Sequence, residues 1–369
     1  MIKLNSLNEG LMAHSKQQSG VALITVMLVV AVAVVLATKM SSALIFQIQR
    51  TDNLNSNQQA YWHAMGAEAF AKSVLTLSFK EKDDKEVTHL GQIWASGETS
   101  FPVDLGSISG EIKDMQACFN LNSLINKEQD NSDSSAAPGS SAPSEDEEKG
   151  KPGASASGKK IENMAKVALI ELISSLNIDG VGNFEAESMS DALLDWLDED
   201  SSIVSAGGAE DNDYAAKEYP YLAANGLLAS VNELRLIEHF SPQVIYALKD
   251  HVCVIPNSEM HKININTIDE EHTELLQALL GGVDASVVEE IFSQRGEEGF
   301  KTIDDFYSVS AVTGLQDFDQ FKRQFVVDSE YFKLITKTSF NDSYFSMNSI
   351  MKINKDETIS VVNRSVGEQ

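Results

Sequence analysis

The chain has 369 residues, 43% of them apolar, and a formal net charge of −27. That is enough chain for two domains or one domain with large insertions, and enough apolar content to build a core. The acidity argues against a nucleic-acid partner, which needs clustered Lys and Arg to displace counterions from phosphates. Two cysteines, Cys118 and Cys253, are too few for a disulfide scaffold or a cysteine zinc site.

The first strong element is "KQQSGVALITVMLVVAVAVVLATKM", residues 16 to 40. From Val21 to Ala37 the sequence carries no charge, and as a helix this run reaches about 25 Å, close to the thickness of a bilayer core. Lys3 and Lys16 precede it, on the side expected to stay cytoplasmic, so the body of the chain is expected to be exported. A cleavable secretory signal would end in small residues after the apolar run. Here the pattern continues instead, with apolar residues at Leu44, Ile48, Leu54, Tyr61, Met65 and Ala69 and no proline. One helix from Val21 to about Leu77 is predicted, apolar first and amphipathic later.

Residues 76 to 105 read as a mixed connector with turn signals (KEKDDKE, ASGE, FPVD). Residues 108 to 125 alternate well enough for a strand, through Ile112, Met115, Cys118 and Leu121. Residues 126 to 160, rich in Ser, Ala, Pro, Gly and acids, lack large apolar side chains, so a disordered loop is expected there. A first helical region spans 161 to 250. It holds "IENMAKVALIELISSL", "SMSDALLDWLDED" with a Ser cap, "SVNELRLIEHF" with a Ser/Asn cap, and "SPQVIYALKD" with Pro at its first turn. A short strand follows at "HVCVIP", 251 to 256. A second helical unit, 262 to 330, has Thr267 or Asp269 as its first cap and Gly281-Gly282 as its first break. Residues 331 to 365 read as an antiparallel meander with turns at Asn341-Asp342 and Lys355-Asp356. The expected fold class is α+β, a long helix plus an antiparallel sheet interrupted by an all-α insertion.

Residues 193 to 226 gather carboxylates: Asp195, Asp198, Glu199, Asp200, then Glu210, Asp211 and Asp213. The first group sits at a helix C-terminus, where negative charge is unfavourable, so a compensating cation is one reading. An oxygen-only set suits Ca2+ better than Zn2+. The spacing is not an EF-hand, since no Gly stands at the sixth loop position and no Glu at the twelfth. An ordinary solvated acidic loop is the other reading. Cys118 and Cys253 flank the helical insertion. If its ends meet at the sheet they become neighbours able to oxidise outside the cytoplasm, and two separate buried thiols are the alternative. Tyr61, Trp62 and His63 are expected to pack between the long helix and the sheet. No nucleophile–base constellation and no HExxH spacing occurs, so no enzyme is expected.

Ser19-Gly20 directly before the apolar run resembles the leader junction of type IV pilins and pseudopilins. Together with "GVALITVMLVVAV", "QAYWHAMGAEAFA", "FNLNSL", "LLDWLDED", "GAEDNDY" and "ININT", the layout resembles the K-type minor pseudopilins of type II secretion over nearly the whole chain. The resemblance implies a leader of residues 1 to 20 cut after Gly20 by a prepilin peptidase, with Val21 as the N-methylated mature N-terminus. It implies a single-pass inner-membrane helix at 21 to 38, a pilin-like α+β domain made of 78 to 125 with 331 to 369, and a globular part in the periplasm; the acidic charge argues for no nucleic acid. Thr25 stands at the fifth mature position, where shaft pilins carry a Glu thought to pair with a neighbouring N-terminus. The resemblance therefore implies a subunit at the fibre tip, with I-type and J-type minor pseudopilins and the inner-membrane secretion platform as partners. It further implies calcium at Asp195, Asp198, Asp200, Glu210, Asp211 and Asp213, with backbone donors such as Ile203. Residues 262 to 330 resemble a SAM-like or helix-hairpin-helix module. Its hairpin carries Asp284, Glu289 and Glu290 and no base before Arg295, which disfavours DNA. A type IV pilus minor pilin and a membrane-anchored periplasmic DNA-binding protein are the alternative functions.

Overall fold

The computed structural model describes residues 19–80, 87–125, 163–316, 318–341 and 343–367. The low-complexity stretch 126 to 160, residues 1 to 18 of the leader and Asp342 of the predicted turn lie outside these. The chain divides into two units, Met1–Gln59 and Ala60–Gln369.

The first unit, as described, is the apolar part of helix α1, whose bounds are Ser19–Lys80. Among the described residues this is one helix long and apolar enough to cross a membrane. Thr25 and Thr38 return their hydroxyls to carbonyls one turn back, Ala22 and Val35, both at 2.9 Å. Hydroxyls satisfied in this way are tolerated in an apolar setting.

The second unit begins with the last turns of α1 packed on a five-stranded antiparallel sheet of order β1-β2-β7-β8-β9. The strands are Thr99–Val103, Gly106–Asp114, Tyr331–Phe340, Ser343–Ile353 and Ile359–Val366. The three terminal strands follow the predicted meander. The helix buries Ala60, Ala64, Glu68, Ala71 and Leu75, a stripe at 3–4 spacing of mostly small residues. Tyr61 and Met65, placed on the apolar stripe by sequence, lie beside it: the sheet admits alanines where larger side chains would hold the helix off. Tyr61 and His63 still reach the sheet by edge contacts to Phe345 and Phe340, while Trp62 is 58% exposed. Ala71, Leu75, Trp94, Phe332, Leu334 and Met351 form the core between helix and sheet.

Two corrections concern this half. The connector 76 to 105 contains strand β1, joined to β2 by a two-residue turn in which Leu105 takes φ 64°. Residues 108 to 125 are not one strand. Asp114 Oδ1 accepts from Gln116 N at 2.7 Å and turns the chain. Beyond it come the short strand β3, Phe119–Asn120, and a 3-10 turn at Leu121–Ile125.

The helical insertion holds α2 (Met164–Ser175), α3 (Asn183–Leu197), α4 (Asp211–Ala215), α5 (Pro242–Leu248), α6 (Thr273–Leu279), α7 (Ala285–Arg295), α8 (Ile303–Tyr307) and α9 (Ser310–Thr313). The two-residue strands β4 (Val252–Cys253) and β5 (Ile263–Asn264) lie between its helices, and β6 (Phe325–Val326) follows the last of them. One apolar core runs through both helical stretches, from Leu169, Leu172 and Leu193 to Leu276, Ile291 and Phe306. The boundary between 250 and 262 therefore separates sequence segments and not cores.

Two predicted caps move and one stays in place. Helix α3 starts at Asn183, not at a serine. Glu185 reaches back to the amide of Gly182, and Ser188 and Ser190 donate to Phe184 and Ala186 inside the helix. The segment after Ser230 is a 3-10 turn, Val231–Leu236, with the expected capping box to Glu233. Thr267 and Asp269 do not cap α6, which begins after His272; Thr267 is drawn to Asp114 and Asp269 to the amide of Glu271. The Gly281-Gly282 break is as expected: both take φ near +80°, a region open to glycine.

Candidate functional site

The acidic loop is built on the end of α3. Asp195 lies on the buried face of its last turn, fully inaccessible, and Oδ1 accepts from Val204 N at 2.9 Å. Gly207 and Gly208 bring the returning chain against this turn. A Cβ on Gly208 would lie 2.0 Å from Asp195 Oδ2, and one on Gly207 would lie 2.8 Å from Ser188. Glycine is needed here for close approach rather than for a flexible turn. The loop then delivers Glu210, the N-cap of α4, beside Asp198 and Asp200. Carboxylate oxygens of these three residues lie within 4.8 Å of one another, a spacing at which one ion could hold all three.

Electrostatically the cluster is incomplete. Glu210 is buried, its Oε2 accepts from Asp211 N, and its Oε1 has no hydrogen-bond partner. Burial, then the charges of Asp195, Asp198 and Asp211, push the Glu210 carboxyl upward. Burial likewise pushes Asp195 up to about 6, with Asp198 and Asp191 adding to it. The nearest lysine pairing takes Asp191 instead: Lys166 and Ser205 both bind that carboxylate. Hard oxygen donors at this spacing fit a calcium ion. Asp198, Asp200 and Glu210 are the residues that would hold it, and Asp195, of the same predicted set, is buried against Gly208. Asp213 accepts from Glu210 N, and Asp211 accepts from Ala223 N, so both of these carboxylates shape the loop. Ile203 is exposed on the same loop.

Cys118 and Cys253 form a disulfide, with Cα atoms 5.8 Å apart. Strands β3 and β4 pair in parallel beside it and bring the ends of the first helical stretch together. Sequence reasoning missed the buried asparagines around this joint. Asn120 accepts from Ile255 N, Asn122 accepts from Leu228 N and donates to Leu228 O and Ile255 O, and Asn266 bonds both main-chain groups of Phe300. Such amides satisfy loop backbone that would otherwise be buried without partners. The alternating N-x-N of "FNLNS" and "ININT" was their signal. Asn264 and Thr267, with Ser329, donate to Asp114 and tie the insertion to the sheet.

Two family models, each described as "Type II secretion system (T2SS), protein K", match residues 117–257 and 263–328. The Type II secretion system protein K of Aeromonas hydrophila is 36% identical over 79% of this chain and 80% of its own length. That of Pseudomonas aeruginosa is 30% identical over 95% of this chain and 93% of its own. The crystal structure of the GspK-GspI-GspJ complex from the enterotoxigenic Escherichia coli type 2 secretion system contains a chain with TM-score 0.71 and 30% identity, covering 87% of this chain and all of that one. The fold and these matches define a minor pseudopilin, a structural component of the type II secretion apparatus in the cell envelope. The chain belongs to the type II secretion system protein K family.

Proposed function

We propose that this subunit caps the tip of the type II secretion pseudopilus and helps to start its assembly, together with I-type and J-type minor pseudopilins. The observation that carries the reading is Thr25. Its hydroxyl is satisfied within its own helix by Ala22 O, and it offers no charge to a subunit stacked above it. A carboxylate at that depth is costly unless a neighbouring amine pairs with it. A chain that lacks it can take a place below nothing. The large helical insertion supports the same place, because a shaft subunit must fit between neighbours.

In this reading a prepilin peptidase cuts after Gly20, Val21 becomes the methylated N-terminus, the helix from there to residue 38 crosses the inner membrane, and the rest is periplasmic. The inner-membrane secretion platform is the site of assembly. The segment 262 to 330 acts as a SAM-like protein-contact module, and calcium at Asp198, Asp200 and Glu210 is structural. The test is co-expression with I-type and J-type minor pseudopilins from the same secretion system. A stable ternary complex is expected, and Thr25→Glu should lower pseudopilus initiation in cells. A chain that binds neither partner, or that is incorporated along the shaft, contradicts the proposal.

A further inference from the structure

The stretch that delivers Glu210 is held on both sides by one short segment, residues 237 to 240, which follows the 3-10 turn Val231–Leu236. On the near side His239 Nε2 donates to Gly207 O at 3.1 Å; a carbonyl can only accept, so the ring proton sits on Nε2. On the far side Glu238 N donates to the hydroxyl of Tyr214, a buried residue of α4, at 3.4 Å. Glu210, the N-cap of α4, lies between these two anchor points. The segment is itself fixed: Ile237 and Phe240 are buried, and Glu238 pairs with Lys217 at 2.7 Å.

His239 takes φ 69°, a left-handed conformation that a side-chain-bearing residue enters at a cost. Its side chain is exposed, so burial does not offset that cost. The hydrogen bond its ring makes goes to Gly207 O. Gly207 is thereby gripped through both main-chain groups. Its amide donates to Ser205 Oγ at 3.0 Å, and Ser205 is backed by Asp191, which pairs with Lys166 of α2. The glycine has little room to move towards α3, since a Cβ on it would lie 2.8 Å from Ser188.

We infer that His239 is a positioning residue of the acidic loop. It is not a ligand; by fixing the carbonyl of Gly207 it sets where Glu210 stands relative to Asp198 and Asp200. In the calcium reading proposed above, on which this role rests, the geometry demands such a residue. Asp198 and Asp200 follow the end of α3, whereas Glu210 arrives on the returning chain. One ion can hold all three only if that chain is fixed against the helix. Ligands held in place beforehand lose less freedom on binding. Removing a supporting group of this kind weakens metal binding about 10–100-fold.

The test uses the full-length protein in detergent micelles, with calcium titrated by calorimetry and melting followed in EDTA. His239→Gly removes the bond and suits the positive φ, so its melting temperature in EDTA should stay close to that of the wild type. Its calcium affinity should nevertheless fall about tenfold or more. His239→Gln places a donor at the end of a side chain of similar reach and should recover much of that affinity. Equal calcium affinity in the wild type and His239→Gly overturns the role. A fall in affinity matched by a loss of melting temperature in EDTA also overturns it, since His239 would then be an ordinary structural contact. Both results leave the calcium reading standing. A wild type that binds no calcium removes that reading and the role of His239 with it.

Discussion

Two buried carboxylate sites in this molecule solve the same problem in opposite ways. Glu68, on the sheet-facing stripe of α1, is 2% exposed and ionised at a depth where a lone charge is costly. It is matched within the chain: Arg364 of β9 donates from Nε at 2.7 Å and from Nη2 at 2.9 Å, Ser349 donates at 2.8 Å, and Lys72 stands 3.4 Å away. The Arg364 bonds, chiefly, hold its carboxyl down at about 2 against the opposing effect of burial. Asp195 and Glu210 are equally buried, and their neighbours are more acids; burial first, then those charges, push them up. The helix–sheet site is complete in the sequence that encodes it. In the calcium reading proposed above, the acidic loop would be completed from outside, and its stability would then depend on an ion.

The largest expected effect tests what lies between the two sites. Reducing Cys118–Cys253, which closes a loop of sequence separation 135, should cost about 4–5 kcal/mol by the chain-entropy account. Thermal melts with and without reductant measure it, and the loss should be of similar size with or without calcium. Chelation comes next. If calcium is present at about a thousand times its dissociation constant, removing it costs about 4 kcal/mol. The melting temperature should fall with EDTA and recover with added calcium, and a curve that ignores EDTA would place the acidic loop in the same self-sufficient class as Glu68.

Gly208→Ala sets a methyl 2.0 Å from Asp195 Oδ2 and must move the returning loop, at about 1–3 kcal/mol. Its distinguishing readout is calcium affinity, which should drop together with stability. Arg364→Met strands Glu68. A fully buried pair would lose 3–5 kcal/mol, but Arg364 is 43% exposed, so solvent screening reduces this to about 1–3 kcal/mol. This loss should not depend on calcium at all. The smallest effect concerns pH and is read by carboxyl NMR. Glu68 should titrate near 2. Its contribution is intact above its ordinary 4.5 and is lost as pH falls through 2. Asp114, which among the described residues has hydrogen bonds but no cation, is pushed up to about 6 by burial. Its contribution is intact below 3.8 and is lost as pH rises through 6. Ordinary values at both residues would remove the contrast between paired and unpaired burial.

Periodicity disclosed the elements whose pattern repeats: the long helix, the meander of β7, β8 and β9, and the stripe of α2. It failed where one side chain redirects the backbone. Asp114 ends β2 by binding Gln116 N, and Glu185 starts α3 at a glycine. Both are single hydrogen bonds that no repeat announces. The acidic loop was visible as composition, but which acids converge was not. Separating Asp198, Asp200 and Glu210 from Asp211 and Asp213 requires knowing that Asp213 caps the amide of Glu210 and that Asp211 serves Ala223. The Glu68–Arg364 pair, 296 residues apart in sequence, lay beyond any local signal.

Calcium titration of the full-length protein by calorimetry, alongside Glu210→Gln and Arg364→Met, tests the central contrast most directly. The account predicts calcium binding by the wild type and by Arg364→Met, and a large loss of affinity in Glu210→Gln. Absence of calcium binding in the wild type, or equal binding in all three, would contradict it.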